Sequence, residues 1–333
     1  MKKIAINGFG RIGRLAFREL MASDEYKVVA INSRGSSEDL AYLLKYDSTH
    51  RTWQEDFISY NDEGIICDGE LTKTFAIDDP KDLPWDELDI DCVLECTGAF
   101  TKEEDARRHL EAGAKNVIIS APGKGEMKTI VYGVNETILT KDDHIISAAS
   151  CTTNCLAPVL NILDQMIGIE SGFMTTIHAY TNDQVTLDGS HKKGIYSRRG
   201  RAAAGNIIPS STGAASAIGK VLPELEGKLS GGAFRVPVLD GSCIDLSLTM
   251  KREVNKEEIN YLFKTNQSDV LKYTEDPVVS SDIIGSNIGA LVDGNLTDVL
   301  EIDKRQIKVV AWYDNEYGYT CQMLRTMDTL LKK

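Results

Sequence analysis

The chain has 333 residues, more than one ordinary hydrophobic core organises and enough for two domains. An apolar content of 42% and a charged content of 26% describe a soluble globular protein. The formal charge of −13 argues against general affinity for nucleic-acid phosphates or anionic membranes, so any phosphate site must be local.

The sequence opens directly on a strand at 4–7, with no signal-peptide h-region, and no apolar run reaches the length of a membrane span. A helix is predicted over 11–21 and a strand over 28–31. Ser36-Ser37-Glu38-Asp39 can cap a helix running through Leu43 and Leu44. Runs at 57–60, 65–67 and 74–77, broken by Asn61-Asp62-Glu63-Gly64 and Asp68-Gly69, read as hairpin strands. Strands recur at 92–96, 117–120 and 145–148, with a helix near 103–112. This β-α-β alternation predicts a doubly wound, Rossmann-type parallel sheet.

The second half changes character. A helix over 151–167 leads into a strand over 172–180. The polar stretch 181–206 then carries five lysines or arginines and little periodicity, and loops of that length inside a domain are usually functional. Runs at 233–238, 243–250 and 307–312 predict a mostly antiparallel sheet in an α+β catalytic domain. The segment 316–331 has helical apolar spacing and is expected to pack back on the first domain. The expected organisation is therefore 1–149, 150–315 and 316–333.

Seven cysteines is an odd number in a chain large enough to fold without staples, so a reduced, cytoplasmic setting is expected. Cys92 and Cys96 lie in an apolar run and should pack in the core. The five histidines are scattered without metal-site spacing, and no metal is expected.

Gly8-Phe9-Gly10-Arg11-Ile12-Gly13 is a G-x-G-x-x-G at the end of the first strand, opening the first helix. The first glycine makes the turn, the second lets backbone approach a pyrophosphate, and the third lets helix pack on strand. Free N–H groups at the helix start favour the phosphates. About twenty residues beyond Gly13, where an acid would hold the adenosine ribose, stands Ser33 followed by Arg34. An acid there disfavours a 2′-phosphate, each like-charge pair at ~4 Å costing about 4 kcal/mol before screening. Its absence, with Arg34 beside it, suits NADP as well as NAD.

"SAASCTTNCLAP" places Cys151 where a strand gives way to a helix. A thiol at a helix N-terminus sits in positive potential, which is expected to lower its pKa. The hydroxyls of Ser150 and Thr152 can bind a phosphate or an oxyanion, whereas Cys155 one turn deeper is expected to pack. His178, near the end of a strand in "TTIHAYTNDQ", is the leading base candidate for the thiol. "IIPSSTGAA", with Thr212 and Gly213, and "AFRVP", with Arg235, both suit a phosphate-bearing substrate.

From end to end the chain resembles phosphorylating glyceraldehyde-3-phosphate dehydrogenase. The matching strings are INGFGRIGR, KYDSTH, CTGAF, ISAPGK, SAASCTTNCLAP, HAYTNDQ, STGAA, KVLPEL, FRVP and VAWYDNEYGY. The resemblance implies attack of Cys151 on an aldehyde, with His178 taking the hydroxyl proton as hydride leaves for the nicotinamide. Inorganic phosphate would then cleave the thioester to 1,3-bisphosphoglycerate. It further implies Thr181, Asp183 and Arg235 on the phosphate of glyceraldehyde 3-phosphate, and Ser150, Thr152, Thr212 and Gly213 on the attacking phosphate. Asn315 would orient the nicotinamide amide, and Ser120 and Asn182 would lie with the cofactor. A homotetramer is implied, with the 181–206 loop at a subunit interface.

Several departures from the family pattern stand out. NAD-specific members usually carry Asp in place of Ser33 and a proline, contributed by a neighbouring subunit, in place of Ser190. Both changes resemble members that accept NADP. Asp79 stands where the family usually shows an arginine near the adenine, and an acid there gives no help to a phosphate. The 191–201 loop is longer than the commonest form, and "VPVLDGSCIDL" and Ser216 differ from common variants. The resemblance therefore carries to Arg235 more directly than to Arg199 and Arg201. An erythrose-4-phosphate dehydrogenase would share nearly all these residues. A non-enzymatic redox sensor or binding module built on Cys151 would leave the Cys151/His178 pair without a purpose.

Overall fold

The computed structural model describes residues 1–333. Two compact units divide the chain. Met1–Ile130, Glu136–Ala149 and Met323–Lys333 form the first, and Val131–Asn135 and Ser150–Gln322 form the second.

In the first unit β1 (Lys2–Asn7), α1 (Arg11–Leu20), β2 (Tyr26–Asn32) and α2 (Ser37–Lys45) come first. Then follow β3 (Ile58–Asn61), β4 (Gly64–Cys67), β5 (Glu70–Phe75), α3 (Trp85–Leu88) and β6 (Cys92–Glu95). The unit continues with α4 (Glu103–Glu111), β7 (Val117–Ile119), β8 (Lys128–Thr129) and β9 (Ile145–Ser147). The nine strands run in the order β3-β4-β5-β2-β1-β6-β7-β9-β8, and every pair from β5 to β8 is parallel. The α2 cap is a full capping box between Ser36 and Asp39.

The hairpin reading holds for β3–β4 and β4–β5, but the third strand begins at Glu70 and its far edge joins β2 in parallel. Alternate residues face opposite sides of the sheet. Ile4, Ile6, Ile31 and Leu94 pack one face with Phe17, Met323, Met327 and Leu330, while Ala5, Ala30 and Val93 pack the other with Trp85 and Ala106. Cys92 is fully buried, as its run predicts. Strand order reverses direction at β1, and in such sheets the crevice at the carboxyl ends beside the reversal is where ligands bind.

The second unit opens on α5 (Cys151–Met166) and β10 (Ile169–Ala179), continues with β11 (Ile208–Ser211), α6 (Ala214–Ala217), β12 (Leu229–Val236), β13 (Ser242–Met250) and α7 (Lys256–Thr265), and is completed by β14 (Leu271–Thr274), β15 (Ala290–Asp293), β16 (Asp298–Val299) and β17 (Gln306–Tyr313). The last helix, α8 (Tyr317–Leu331), is divided: 317–322 group with the second unit and the rest with the first. The sheet order is β11-β12-β10-β13-β17-β15-β14, with β16 beside β17. Antiparallel pairs predominate, but β10–β12 and β14–β15 are parallel. Buried Cys155, Leu156, Val159, Leu160 and Leu163 face α5 onto β10, β13, β15 and β17. No helix is long and apolar enough to cross a membrane.

Candidate active site

At the carboxyl ends of β1, β2 and β6 the first unit opens a cavity of about 490 Å³, lined among others by Asn7, Gly8, Gly10, Ser33, Arg34 and Thr97. The three glycines divide the work as their spacing predicts. Gly8 has φ +96°, and a Cβ there would lie 2.6 Å from Thr97 N. A Cβ on Gly13 would meet Gly8 O at 2.2 Å, which is the close approach of helix to strand. Around Gly10 there is open space. Helix α1 has no side-chain cap and no acid in its first turn, so its first N–H groups face no competing anion of their own. A dinucleotide pyrophosphate fits this donor set.

Not every expected cofactor residue lines that cavity. Arg11 makes a two-pronged ion pair with Asp47, and Ile12 and Gly13 belong to the body of α1. Ser120 follows β7, its N–H donating to Glu95 O at 3.0 Å. Arg34 is at the cavity lip, where its Nε and Nη2 donate to Asp78 Oδ1 at 3.1 and 2.8 Å. The acid in the cavity is thus Asp78. Asp79 faces away and caps the turn that follows, accepting Lys81 N–H. The position expected for Asp79 is corrected accordingly: successive residues of an extended chain point to opposite sides.

In the second unit the chain enters α5 through Ala149, which has φ +59°, a left-handed conformation that a non-glycine residue adopts rarely. Ser150 caps the helix, accepting Thr153 N–H at 3.1 Å, and Cys151 is its first residue. Strand β10 delivers His178, whose Nε2 lies 3.4 Å from Cys151 Sγ. Its Nδ1 lies 2.7 Å from both Ala179 O, which can only accept, and Arg235 Nη1, which can only donate, and it is the tautomer donating to Ala179 O that turns the Nε2 lone pair to the thiol. Arg235 is the register partner of His178 on parallel β12, and its Nη1 also donates to Ala179 O at 3.1 Å.

A second group gathers beside this one. Asp183 accepts from Thr181 Oγ1 at 2.5 Å and from Arg199 Nη1. Asp183 therefore aligns a hydroxyl and a guanidinium. Arg199 and Arg235 both act on His178 electrostatically, and with the single Asp183 they leave a net positive concavity. Arg235 Nε and Gln184 Nε2 are buried donors without a hydrogen-bond partner, which an arriving anion would satisfy. Thr212 and Gly213 lie on the turn from edge strand β11 into α6, where Thr212 Oγ1 accepts Ala214 N–H, and α6 packs on α5 and β12. Asn182 and Ser190 are exposed on the 181–206 segment, which contains only short turns of 3₁₀ helix.

Burial pushes the Cys151 thiol upward, the reverse of the direction its helix position predicts, although Arg235 and hydrogen bonds from Thr152 pull it back. Burial, then Arg235, pulls His178 down to about 3. Proton transfer from Sγ to Nε2 creates both charges together, and at 3.4 Å an effective dielectric near 20 gives about 5 kcal/mol of mutual attraction. Thiol and imidazole therefore exchange a proton as a unit.

Three residues without a sequence-derived role complete the frame. Tyr313 Oη is 2.9 Å from Thr152 Oγ1 and 2.8 Å from Thr176 Oγ1, and its ring stands edge-on to His178 at 5.9 Å. Ser242 Oγ donates to Asn315 Oδ1 at 2.5 Å and accepts Ala179 N–H at 3.0 Å, leaving the Asn315 amide nitrogen as a free donor. Asp240 Oδ1 accepts the N–H groups of Gly241 and Asn315 at 2.8 and 3.2 Å.

Asp240 faces Asp314, and both are buried. Asp314 accepts N–H groups from Gly285, Glu316 and Tyr317, a set that suits an anion, so the shared proton resides on Asp240. Burial and Asp314 hold the Asp240 carboxyl well above its ordinary range. Its contribution to stability is complete below the ordinary Asp range and is lost as pH rises through the elevated value. Asp240→Asn keeps the Oδ1 acceptor and removes the ionisable proton. Its melting temperature is expected to exceed that of the wild type by a margin that widens from pH 6 to pH 9, corresponding to about 1–3 kcal/mol at the alkaline end. A margin that stays flat across that range would contradict the proton assignment.

Comparison with known sequences matches residues 150–315 to the family described as glyceraldehyde 3-phosphate dehydrogenase, C-terminal domain, and residues 2–103 to its NAD binding domain. The chain is 52% identical over 333 residues to a glyceraldehyde-3-phosphate dehydrogenase of Clostridium pasteurianum, covering 100% of this chain and 99% of the relative. It is 50% identical over 327 residues to glyceraldehyde-3-phosphate dehydrogenase 2 of Bacillus subtilis (strain 168), covering 97% and 94%. A glyceraldehyde-3-phosphate dehydrogenase of Lactobacillus delbrueckii subsp. bulgaricus is 50% identical over 331 residues, covering 98% and 97%.

Proposed function

Because the chain belongs to the glyceraldehyde-3-phosphate dehydrogenase family, an oxidoreductase family with an NAD-binding domain, we propose that it oxidises glyceraldehyde 3-phosphate by the phosphorylating route, reversibly, through a thioester on Cys151. The observation that carries this reading is the 3.4 Å contact between Cys151 Sγ and His178 Nε2 beside two guanidiniums.

Arg235 and Arg199 hold the substrate phosphate, with Thr181 set by Asp183, and Arg235 Nε and Gln184 Nε2 gain their missing partners. Cys151 Sγ attacks the aldehyde carbon as its proton moves to His178 Nε2, and the imidazolium returns that proton to the former carbonyl oxygen to give the hemithioacetal. His178 then accepts the hemithioacetal hydroxyl proton as the carbon loses hydride, leaving a thioester. A bound nicotinamide supplies the hydride acceptor, and Asn315, held by Ser242, offers it an amide donor. Inorganic phosphate, steered by Ser150, Thr152, Thr212 and Gly213, displaces Cys151 from the acyl carbon. Gly8, Gly10 and the start of α1 would hold the pyrophosphate of the cofactor, with Ser33 and Arg34 toward its adenosine end.

The test is product formation from glyceraldehyde 3-phosphate with and without inorganic phosphate. Acyl phosphate that appears only with phosphate supports the reading, whereas oxidation to the free acid independent of phosphate removes it. A higher kcat/KM for erythrose 4-phosphate would assign the alternative aldehyde. Assembly as a homotetramer belongs to the same proposal, supported by exposed Leu187, Ile195 and Tyr196 on the 181–206 segment. So does a cytoplasmic setting, supported by seven cysteines of which none is in a disulfide.

The cofactor reading is use of both NAD and NADP. Ser33 brings no charge against a 2′-phosphate, and Arg34 is held only by an exposed ion pair with Asp78, of a kind worth about 0–1 kcal/mol. Turning Arg34 from Asp78 to a 2′-phosphate is therefore cheap. Ser33→Asp is expected to lower kcat/KM for NADP by about tenfold or more while sparing NAD, measured on the two cofactors side by side. An unchanged ratio would show that residue 33 does not face the ribose.

A further inference from the structure

Beneath the floor of the dinucleotide cavity lies a sealed polar group that the chemistry above does not use. Glu95 is the last residue of β6 and is 1% exposed, and His109 on α4 is 0% exposed. Register places Asn7 directly between Asn32 and Glu95 on three neighbouring strands. The side chains follow that register: Asn32 Nδ2 donates to Asn7 Oδ1 at 2.8 Å, and Asn7 Nδ2 donates to Glu95 Oε2 at 2.5 Å. Glu95 Oε1 accepts the Thr97 N–H at 2.8 Å and the Thr97 hydroxyl.

The fourth donor is His109, whose Nε2 lies 3.1 Å from Glu95 Oε2. Trp85 fixes which nitrogen carries the proton. An indole N–H can only donate, and Trp85 Nε1 points at His109 Nδ1 from 3.0 Å. Nδ1 must then accept, so the proton is on Nε2 and is donated to Glu95. The carboxylate is thus fully satisfied by Asn7, His109 and Thr97 without a cation, which is the condition for burying it. Asn7, Asn32, Thr97 and Phe100 all line the cavity, and Phe100 stands edge-on to the His109 ring at 6.3 Å.

We propose that Trp85, His109 and Glu95 form a positioning relay for the cofactor cavity: the Glu95 carboxylate locks Asn7 and Thr97, and through Asn7 also Asn32, in the geometry that receives the dinucleotide. The inference rests on reading that cavity as the dinucleotide site. It makes Glu95, which touches no ligand, a determinant of cofactor affinity. Because the relay lies under the part of the cavity common to both cofactors, it acts on NAD and NADP alike, unlike Ser33.

The experiment measures Kd for NAD and for NADP by calorimetry at 25 °C, with cofactor KM and kcat on the same preparations. Glu95→Gln places an amide N–H2 where a donor already points. It is expected to raise both Kd values about tenfold, with KM following Kd and kcat at saturating cofactor changing less than threefold. His109→Leu removes one donor and is expected to raise both Kd values about fivefold, and His109→Gln, which restores an N–H, should return them to within twofold of wild type. The His109 pair carries the test if Glu95→Gln fails to fold. A merely structural relay lowers the melting temperature without moving Kd, so His109→Leu with wild-type Kd values overturns the proposal. Wild-type protein that takes up neither cofactor overturns the cavity reading and this inference together.

Discussion

Cys151→Ser is expected to lower dehydrogenase turnover by about 10⁴-fold or more while leaving the Kd for NAD and NADP within twofold of wild type. The sulfur is the only group at the start of α5 placed against a base, with His178 Nε2 at 3.4 Å. A serine hydroxyl in the same place ionises far less readily, and an ester formed there would be a poorer acyl donor to phosphate. The neighbouring thiol cannot replace it, because Cys155 is fully buried and burial pushes it well above the ordinary thiol range. Cofactor affinity should survive because the glycine loop and its cavity are built wholly from the first unit. Turnover above a tenth of wild type would remove Cys151 from the chemistry. Lost cofactor binding would instead show that the substitution acts on the fold.

His178→Asn is expected to lower kcat by 10²–10⁴-fold, the range over which a positioned proton acceptor contributes. The amide can hold the Ala179 carbonyl but cannot take a proton from Sγ. Thiolate must then arise by the thiol's own ionisation, which burial places above its ordinary range. The remaining activity should therefore rise toward alkaline pH, beyond the optimum of the wild type. Stability gives an independent check. His178 is pulled down to about 3 in the folded protein, against about 6.5 when unfolded. Its contribution is complete above pH 6.5 and is lost as pH falls through the window down to 3. The variant should accordingly lose less stability than the wild type on acidification from pH 7 to pH 4. Equal acid sensitivity would mean that His178 is not held neutral by burial and Arg235.

What the sequence disclosed was mostly local. The α2 cap and the three glycines are signals within a few residues of one another, and each forms as read, whereas Ser150, read for its hydroxyl as a phosphate ligand, also caps α5. The cap Asn255 with Glu257 and Glu258, which opens α7, is a signal of the same kind that went unread. Pairings between distant segments were less legible. Nothing near Glu70–Phe75 states that it will join β2 in parallel, and nothing near Arg235 states that it will lie in register with His178. The choice between Asp78 and Asp79 depended on which side of an extended backbone meets the cavity. The thiol direction was misjudged for a different reason: the helix N-terminus is visible in the sequence, but the burial that outweighs it is not. The Glu95–His109–Trp85 relay combines both difficulties, since its members lie on three elements and only packing brings them together.

The last helix adds a consequence for biosynthesis. Met323, Met327 and Leu330 belong to the same apolar cluster as Ile4, Phe17 and Leu44. Tyr26 Oη donates to Asp328 at 2.6 Å, and Lys2 Nζ donates to Leu331 O. A nascent chain therefore leaves the ribosome with its first folding unit lacking one wall until residues 323–331 have been made. The entropic cost of so late a closure grows only logarithmically with the intervening length, so the finished protein bears it easily. The growing chain, by contrast, exposes apolar surface throughout synthesis of the second unit, the interval in which chaperone capture and aggregation compete with folding. Strand β1 and the last turns of α8, some three hundred residues apart, therefore mature together.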